Sequence, residues 1–195
     1  MKALKIIASI LLVLISVLAI AWFGFLKPKP PAISGQDRAA IQLMPLPGEL
    51  KLGSGSFVLE ENMTHEFSGQ SSARLERATK RFYQKLSTCT NMNFGEGESV
   101  QLILNCTNCE EGYPSLDDNE SYSIHVAGSK ILVQSPEEKG IVYVLETLLQ
   151  LVENQDGSWI IPQLSMEDSP RYPWRGLMID ACRHWIPKDV ILRNL

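Results

Sequence analysis

Hydrophobic and polar positions follow three rhythms along this chain, and the first is an unbroken apolar run from Ile6 to Leu26, preceded by Lys2 and Lys5. At about 1.5 Å per residue a helix of this length covers roughly 31 Å, the depth of bilayer hydrocarbon, so the run predicts a membrane-spanning helix. Ala19-Ile20-Ala21 offers a small-x-small cleavage site, but apolar residues continue through Trp22, Phe23, Phe25 and Leu26. Cleavable signal cores are usually shorter. A retained single-pass anchor is therefore the expectation for residues 1–26, with the body on the extracytoplasmic side. Residues 27–40 follow as a linker that opens with Lys27-Pro-Lys-Pro-Pro31, a stiff extended spacer.

From Ile41 the pattern becomes that of a folded body. Residues 41–52 are rich in turn formers, Gly53-Ser-Gly55-Ser56 reads as a turn, and Phe57-Val58-Leu59 reads as a short strand. Leu75, Ala78, Phe82 and Leu86 recur at helical spacing between Arg74, Arg77, Lys80, Arg81 and Lys85. That predicts an amphipathic helix over about 71–87, with the basic residues on its wet face. Val100 to Leu104 reads as a strand. Tyr122 to Val126 alternates with period two, Gly128-Ser129 turns the chain, and Ile131-Leu132-Val133 returns as the hairpin partner. Ser135, Pro136 and Glu138 form a capping-box pattern with proline at the first helical position. Ile141, Leu145, Leu148, Leu149 and Val152 then make one apolar stripe that ends near Glu153-Asn154. Strands followed by sheet-covering helices predict an α+β body over 41–167.

The third rhythm starts after Asp168-Ser169-Pro170. Arg175-Gly-Leu-Met-Ile-Asp-Ala-Cys-Arg183-His184 is nearly continuous apolar sequence that ends in charge. A strand buried on both faces of a parallel sheet reads this way, and charge gathered at its C-terminal end suits the mouth of a barrel. If Arg183 points into such a barrel, period two also turns Leu177, Ile179 and Ala181 inward. Met178, Asp180 and Cys182 then face outward; alternatively the strand ends before Arg183 and the alternation breaks.

Charge and cysteine content narrow the functions open to the chain. A net charge of −4 and a pI of about 5.4 argue against a nucleic-acid partner. Cys106-Thr-Asn-Cys109 has metal-ligand spacing but no second such pair and no nearby histidine, and no HExxH occurs, so neither metal nor cofactor is expected. In an oxidising compartment Cys89 is expected to pair with Cys106 or Cys109, while Cys182 stays a buried, inert thiol. Asn62, Asn105 and Asn119 open Asn-x-Ser/Thr triplets, which matter only in a eukaryotic host.

DSPRYPWRGLMIDACRHWIP (168–187) resembles the opening of the catalytic barrel of glycoside hydrolase family 20 β-N-acetylhexosaminidases. PLPGELKLGSGSFVL (45–59) looks like the start of that family's accessory α+β domain, and GIVYVLETLLQLV (140–152) like its last helix. The resemblance implies an accessory domain over 41–167. Residues 168–195 would then be the truncated start of a (β/α)₈ barrel, one strand and the beginning of one helix. It also implies hydrolysis of terminal N-acetylglucosamine or N-acetylgalactosamine from glycans or chitooligosaccharides. In that family the substrate's own acetamido oxygen attacks the anomeric carbon, a glutamic acid protonates the leaving group, and an aspartate orients the acetamido group. That Asp–Glu pair lies beyond the first barrel strand and has no counterpart here, so no catalytic residue is assigned. Arg183 takes the position of the family arginine that binds the sugar 3- and 4-hydroxyls, a task suited to a planar fork of donors. Asp180 would support Arg183 or the strand. The rival expectation is a non-catalytic membrane-tethered module that binds carbohydrate or a partner.

Overall fold

Residues 41–110, 112–176, 178–180, 183 and 185–193 are described by a computed structural model. In chain order the elements are β1 (Glu49–Val58), β2 (Met63–Phe67), α1 (Ala73–Thr90), β3 (Ser99–Asn108), β4 (Tyr122–Ala127), β5 (Lys130–Glu137), α2 (Glu138–Gln150), β6 (Glu153–Gln155), β7 (Ser158–Asp168) and α3 (Lys188–Arg193). The strands form one mixed sheet in the order β1-β7-β4-β5-β3-β2, with β6 also paired to β7. β2, β3 and β5 run parallel, and the remaining pairings are antiparallel.

Period-two alternation places one row of side chains across the whole sheet: Leu50, Met166, Ile124, Val133, Leu104 and Phe67 stand opposite one another in register. The adjacent row is Leu52, Leu164, Val126, Ile131, Leu102 and His65. Apart from His65, these side chains join one core with Leu75, Ala78, Phe82 and Leu86 of α1 and Ile141, Val144, Leu145 and Leu148 of α2. Both apolar stripes read from the sequence are thus core-facing, although Leu149 and Val152 are only partly buried. Burying each such side chain contributes about 1.5–3 kcal/mol before chain entropy is counted. On the polar side of the helices, Lys85 of α1 reaches Glu146 of α2.

Two local readings need correction. Gly53-Ser-Gly55-Ser56 is not a turn but the middle of β1, which carries a register shift between Leu52 and Ser56. Facing the shift is Pro162, which has no N–H to give to a regular ladder, so the irregularity and the proline explain each other. Ser135 does not cap α2. β5 stays extended to Glu137 because Glu137 pairs with Asn108, and α2 starts only at Glu138. The Ser135 hydroxyl instead lies 2.8 Å from the Ser121 carbonyl, and Gly140 is needed close by because a Cβ there would stand 2.7 Å from that same oxygen. Glu138 is buried and accepts hydrogen bonds from the Ser72 hydroxyl and the Arg74 guanidinium, which ties the start of α2 to the start of α1. Ser72 is the N-cap of α1, and its hydroxyl also accepts from the Leu75 N–H.

β2, β6 and β7 were not expected. β2 is five residues long at the sheet edge, and its second core-facing position is a histidine. In β7, Trp159-Ile-Ile-Pro162 reads poorly as a strand because of the proline, which tertiary pairing accommodates.

The expected anchor over 1–26 and the linker over 27–40 lie outside the described residues. Among the described residues no helix is long and apolar enough to cross a membrane.

Candidate functional site

Arg183 and Asp180, the residues singled out for sugar contact and its support, lie together after the sheet ends. The Arg183 Nε–H donates to Asp180 Oδ2, and the Arg183 backbone N–H lies 3.3 Å from Asp180 Oδ1. Both side chains are exposed. No described residue of the expected barrel strand, Arg175 to Cys182, is paired in a sheet; Leu177, Ala181, Cys182 and His184 lie outside the described residues. Met178 and Ile179 are adjacent and both exposed.

The segment is not loose where it leaves the sheet. Arg175 donates through Nη2 to the Glu120 carboxylate and lies 3.1 Å from the Tyr143 hydroxyl, with its guanidinium carbon 5.6 Å from the Tyr143 ring centroid. Tyr143 in turn donates to Glu120 Oε1 at 2.9 Å. Partial burial, and then the Glu120 acceptor, raise the Tyr143 hydroxyl above its ordinary value of 10, so it stays a donor at physiological pH. Sequence reading passed over this trio. Its members are 55 and 32 residues from Arg175, and only an arginine opening the apolar run hinted at an anchor.

The disulfide expectation is also corrected. Cys106 and Cys109 are bonded to each other, and Cys89 is a free, exposed thiol. Cys89 stands in the last turn of α1 between the buried Leu86 and Thr90, on the face turned from the sheet. Cys106 and Cys109 sit where β3 ends and the chain turns, and the Gln70 side chain receives the Cys109 N–H there.

Two concavities flank the sheet. A polar trough of about 680 Å³ is lined by Asn105, Thr107, Ser123, Gln134, Glu167 and Asp168, among others. The Asp168 carboxylate is already committed, accepting from the Tyr122 hydroxyl and the Gly48 N–H, both at 3.0 Å. A second hollow of about 610 Å³ lies between β2 and α1, beside His65 and Tyr83. His65 Nδ1 and the Tyr83 hydroxyl are buried without a hydrogen-bond partner. Burial holds the His65 pKa below its ordinary value, with the nearby Glu76 charge opposing. Among the described residues no group of three acids, histidines or cysteines could hold a metal ion.

Comparison with known proteins gives the arrangement its context. The family model described as glycosyl hydrolase family 20, domain 2, matches residues 40–169. β-Hexosaminidase subunit A1 of Dictyostelium discoideum is 30% identical over 164 residues, covering 80% of this chain and 30% of its own. A Vibrio furnissii β-hexosaminidase is 29% identical, covering 83% of this chain and 25% of its own. Among solved structures, Flavobacterium johnsoniae chitobiase superposes with a TM-score of 0.73 at 34% identity, over 80% of this chain and 25% of that one. The chain thus spans only a quarter to a third of the length of these relatives. The family match spans the sheet with its two covering helices, and the chain belongs to glycosyl hydrolase family 20, whose domain 2 it carries.

Proposed function

We propose that the whole protein to which these residues belong is a β-N-acetylhexosaminidase, removing terminal N-acetylglucosamine or N-acetylgalactosamine from glycans or chitooligosaccharides. The observation that carries this reading is the family match over residues 40–169, continued by the arginine-bearing motif Arg175–Arg183. In it, Arg183 donates to the two adjacent hydroxyls of the terminal sugar, and Asp180, already paired with it, fixes the plane of its fork. The substrate's acetamido oxygen is the nucleophile, so the protein has to supply only a general acid and an orienting carboxylate, both from barrel strands beyond this segment. Residues 41–167 serve as the domain on which that barrel is built.

The uncharged run over 6–26 supports a retained anchor that holds the domains outside the cytoplasm. Intact-mass measurement on membrane-extracted protein tests it: the expected species keeps Met1 or loses it alone, and an N-terminus near Trp22 refutes the anchor.

The catalytic reading is tested by turnover of a chromogenic N-acetyl-β-glucosaminide. The whole protein is expected to hydrolyse it, and the 195 residues alone are expected to give no product. Hydrolysis by these residues alone would place the active site elsewhere, and an inactive whole protein would favour a tethered binding module.

A further inference from the structure

We infer that Arg175 is a positioning residue for sugar binding, clamped by Glu120 and Tyr143 so that the segment leading to Arg183 leaves the sheet domain in one fixed direction. The inference rests on the hexosaminidase reading above.

The clamp joins three separate parts of the chain. Glu120 belongs to the loop before β4, Tyr143 to the outer side of α2, and Arg175 to the segment after β7. Glu120 takes a hydrogen bond on each oxygen, Oε1 from Tyr143 and Oε2 from Arg175. Arg175 is held in addition through Nη1, which donates to the Tyr172 carbonyl and closes a short turn in its own segment. The guanidinium also lies over the Tyr143 ring. An arginine held by a carboxylate, a phenol, an aromatic face and a backbone carbonyl cannot swing freely. An isolated surface ion pair would contribute little, but here one side chain closes a network whose members fix one another's rotamers.

Tyr143 and Glu120 are well supported themselves. Tyr143 stands on α2, whose opposite side carries the buried Ile141, Val144, Leu145 and Leu148. The loop bearing Glu120 is pinned by Asn119, whose side-chain oxygen accepts from the Ser121 N–H at 3.2 Å, and by the Asp118–Lys139 ion pair, which crosses to α2. Beyond Arg175, residues 176 and 178–180 are not paired in the sheet. The clamp sets where the chain toward Arg183 leaves the sheet domain. Misplacing a binding group by about 1 Å can cost on the order of a hundredfold in rate, so the clamp acts on catalysis through Arg183 without touching substrate.

The experiment compares Glu120→Ala, Glu120→Gln and Arg183→Lys, and the double variant Glu120→Ala with Arg183→Lys, in the whole protein, together with trypsin digestion of the 195-residue chain with and without Glu120→Ala. Glu120→Ala should speed cleavage at Arg175–Gly176 while leaving cleavage within 41–168 unchanged. In the whole protein it should lower kcat/KM by about ten- to a hundredfold. Glu120→Gln, which keeps an acceptor, should restore part of that loss. In an Arg183→Lys background, Glu120→Ala should add little, because both changes act through the same contact. Full additivity with Arg183→Lys, or unchanged cleavage at Arg175, overturns the positioning role. Faster cleavage at Arg175 in the 195-residue chain, together with a whole protein that hydrolyses no N-acetylglucosaminide, overturns the hexosaminidase reading instead and leaves the clamp a tie between segments.

Discussion

Residues 41–168 and residues 169–193 contain the same kinds of apolar side chain and use them in opposite ways. In the first region Leu50, Leu104, Ile124, Val133 and Leu148 are all but inaccessible to solvent. In the second, Tyr172, Trp174, Met178, Trp185 and Leu192 are exposed. Hydrophobicity does not separate them; partners do. A period-two strand buries its apolar side only when strands pair beside it and a layer covers it, as α1 and α2 cover the rows that cross this sheet. The second region carries the pattern of a buried strand, yet none of its described residues is paired in the sheet. Its first residues are held by the Glu120–Tyr143–Arg175 clamp.

The largest effect expected from breaking this contrast lies in the second region and concerns chemistry. In the whole protein Arg183→Lys should reduce kcat/KM on an aryl N-acetylglucosaminide by about one to four orders of magnitude. That follows from losing one or two charge-assisted hydrogen bonds at about 1.5–3 kcal/mol each. Near-wild-type kinetics would remove Arg183 from the sugar site. For stability the ranking reverses. Leu104→Ala should cost about 2–5 kcal/mol in urea unfolding of the 195-residue chain, and Trp174→Ala less than about 0.5 kcal/mol. Equal costs would mean that the second region packs on the first after all.

Smaller effects sharpen the picture inside the first region. Cys89 should alkylate without prior reduction, and Cys106 and Cys109 only after it. Because that bridge closes a very short loop, reducing it should lower stability by at most about 2 kcal/mol. Peptide mapping that finds Cys89 bridged would overturn the assignment.

The smallest effect is that of His65, which ends an otherwise apolar row at the edge strand β2. Burial depresses its pKa from 6.5. As the pH falls below 6.5 the unfolded chain takes up a proton that the folded one refuses, so stability should decline there and be independent of this group above it. His65→Phe should flatten the urea midpoint between pH 7 and pH 5. An unchanged slope would assign the acid sensitivity to other groups.

The sequence by itself determined the elements whose signals are local. α1 and α2 followed from 3.6-residue stripes, the hairpin β4–β5 from alternation around Gly128, and the family resemblance from a contiguous motif at 168–187. None of these needs a contact with a distant residue to be read. Everything that depends on a distant partner was decided by the tertiary structure. Pro162 hides β7 until the register shift of β1 is seen opposite it. Ser135 looks like a helix cap until the pairing of Glu137 with Asn108 keeps its strand extended. Cys106 finds Cys109 rather than Cys89 because α1 turns Cys89 to solvent. The clamp on Arg175 needs a loop and a helix that the chain brings together only on folding. Local steric and solvation preferences are printed residue by residue, whereas pairing depends on which of many compatible segments arrive side by side.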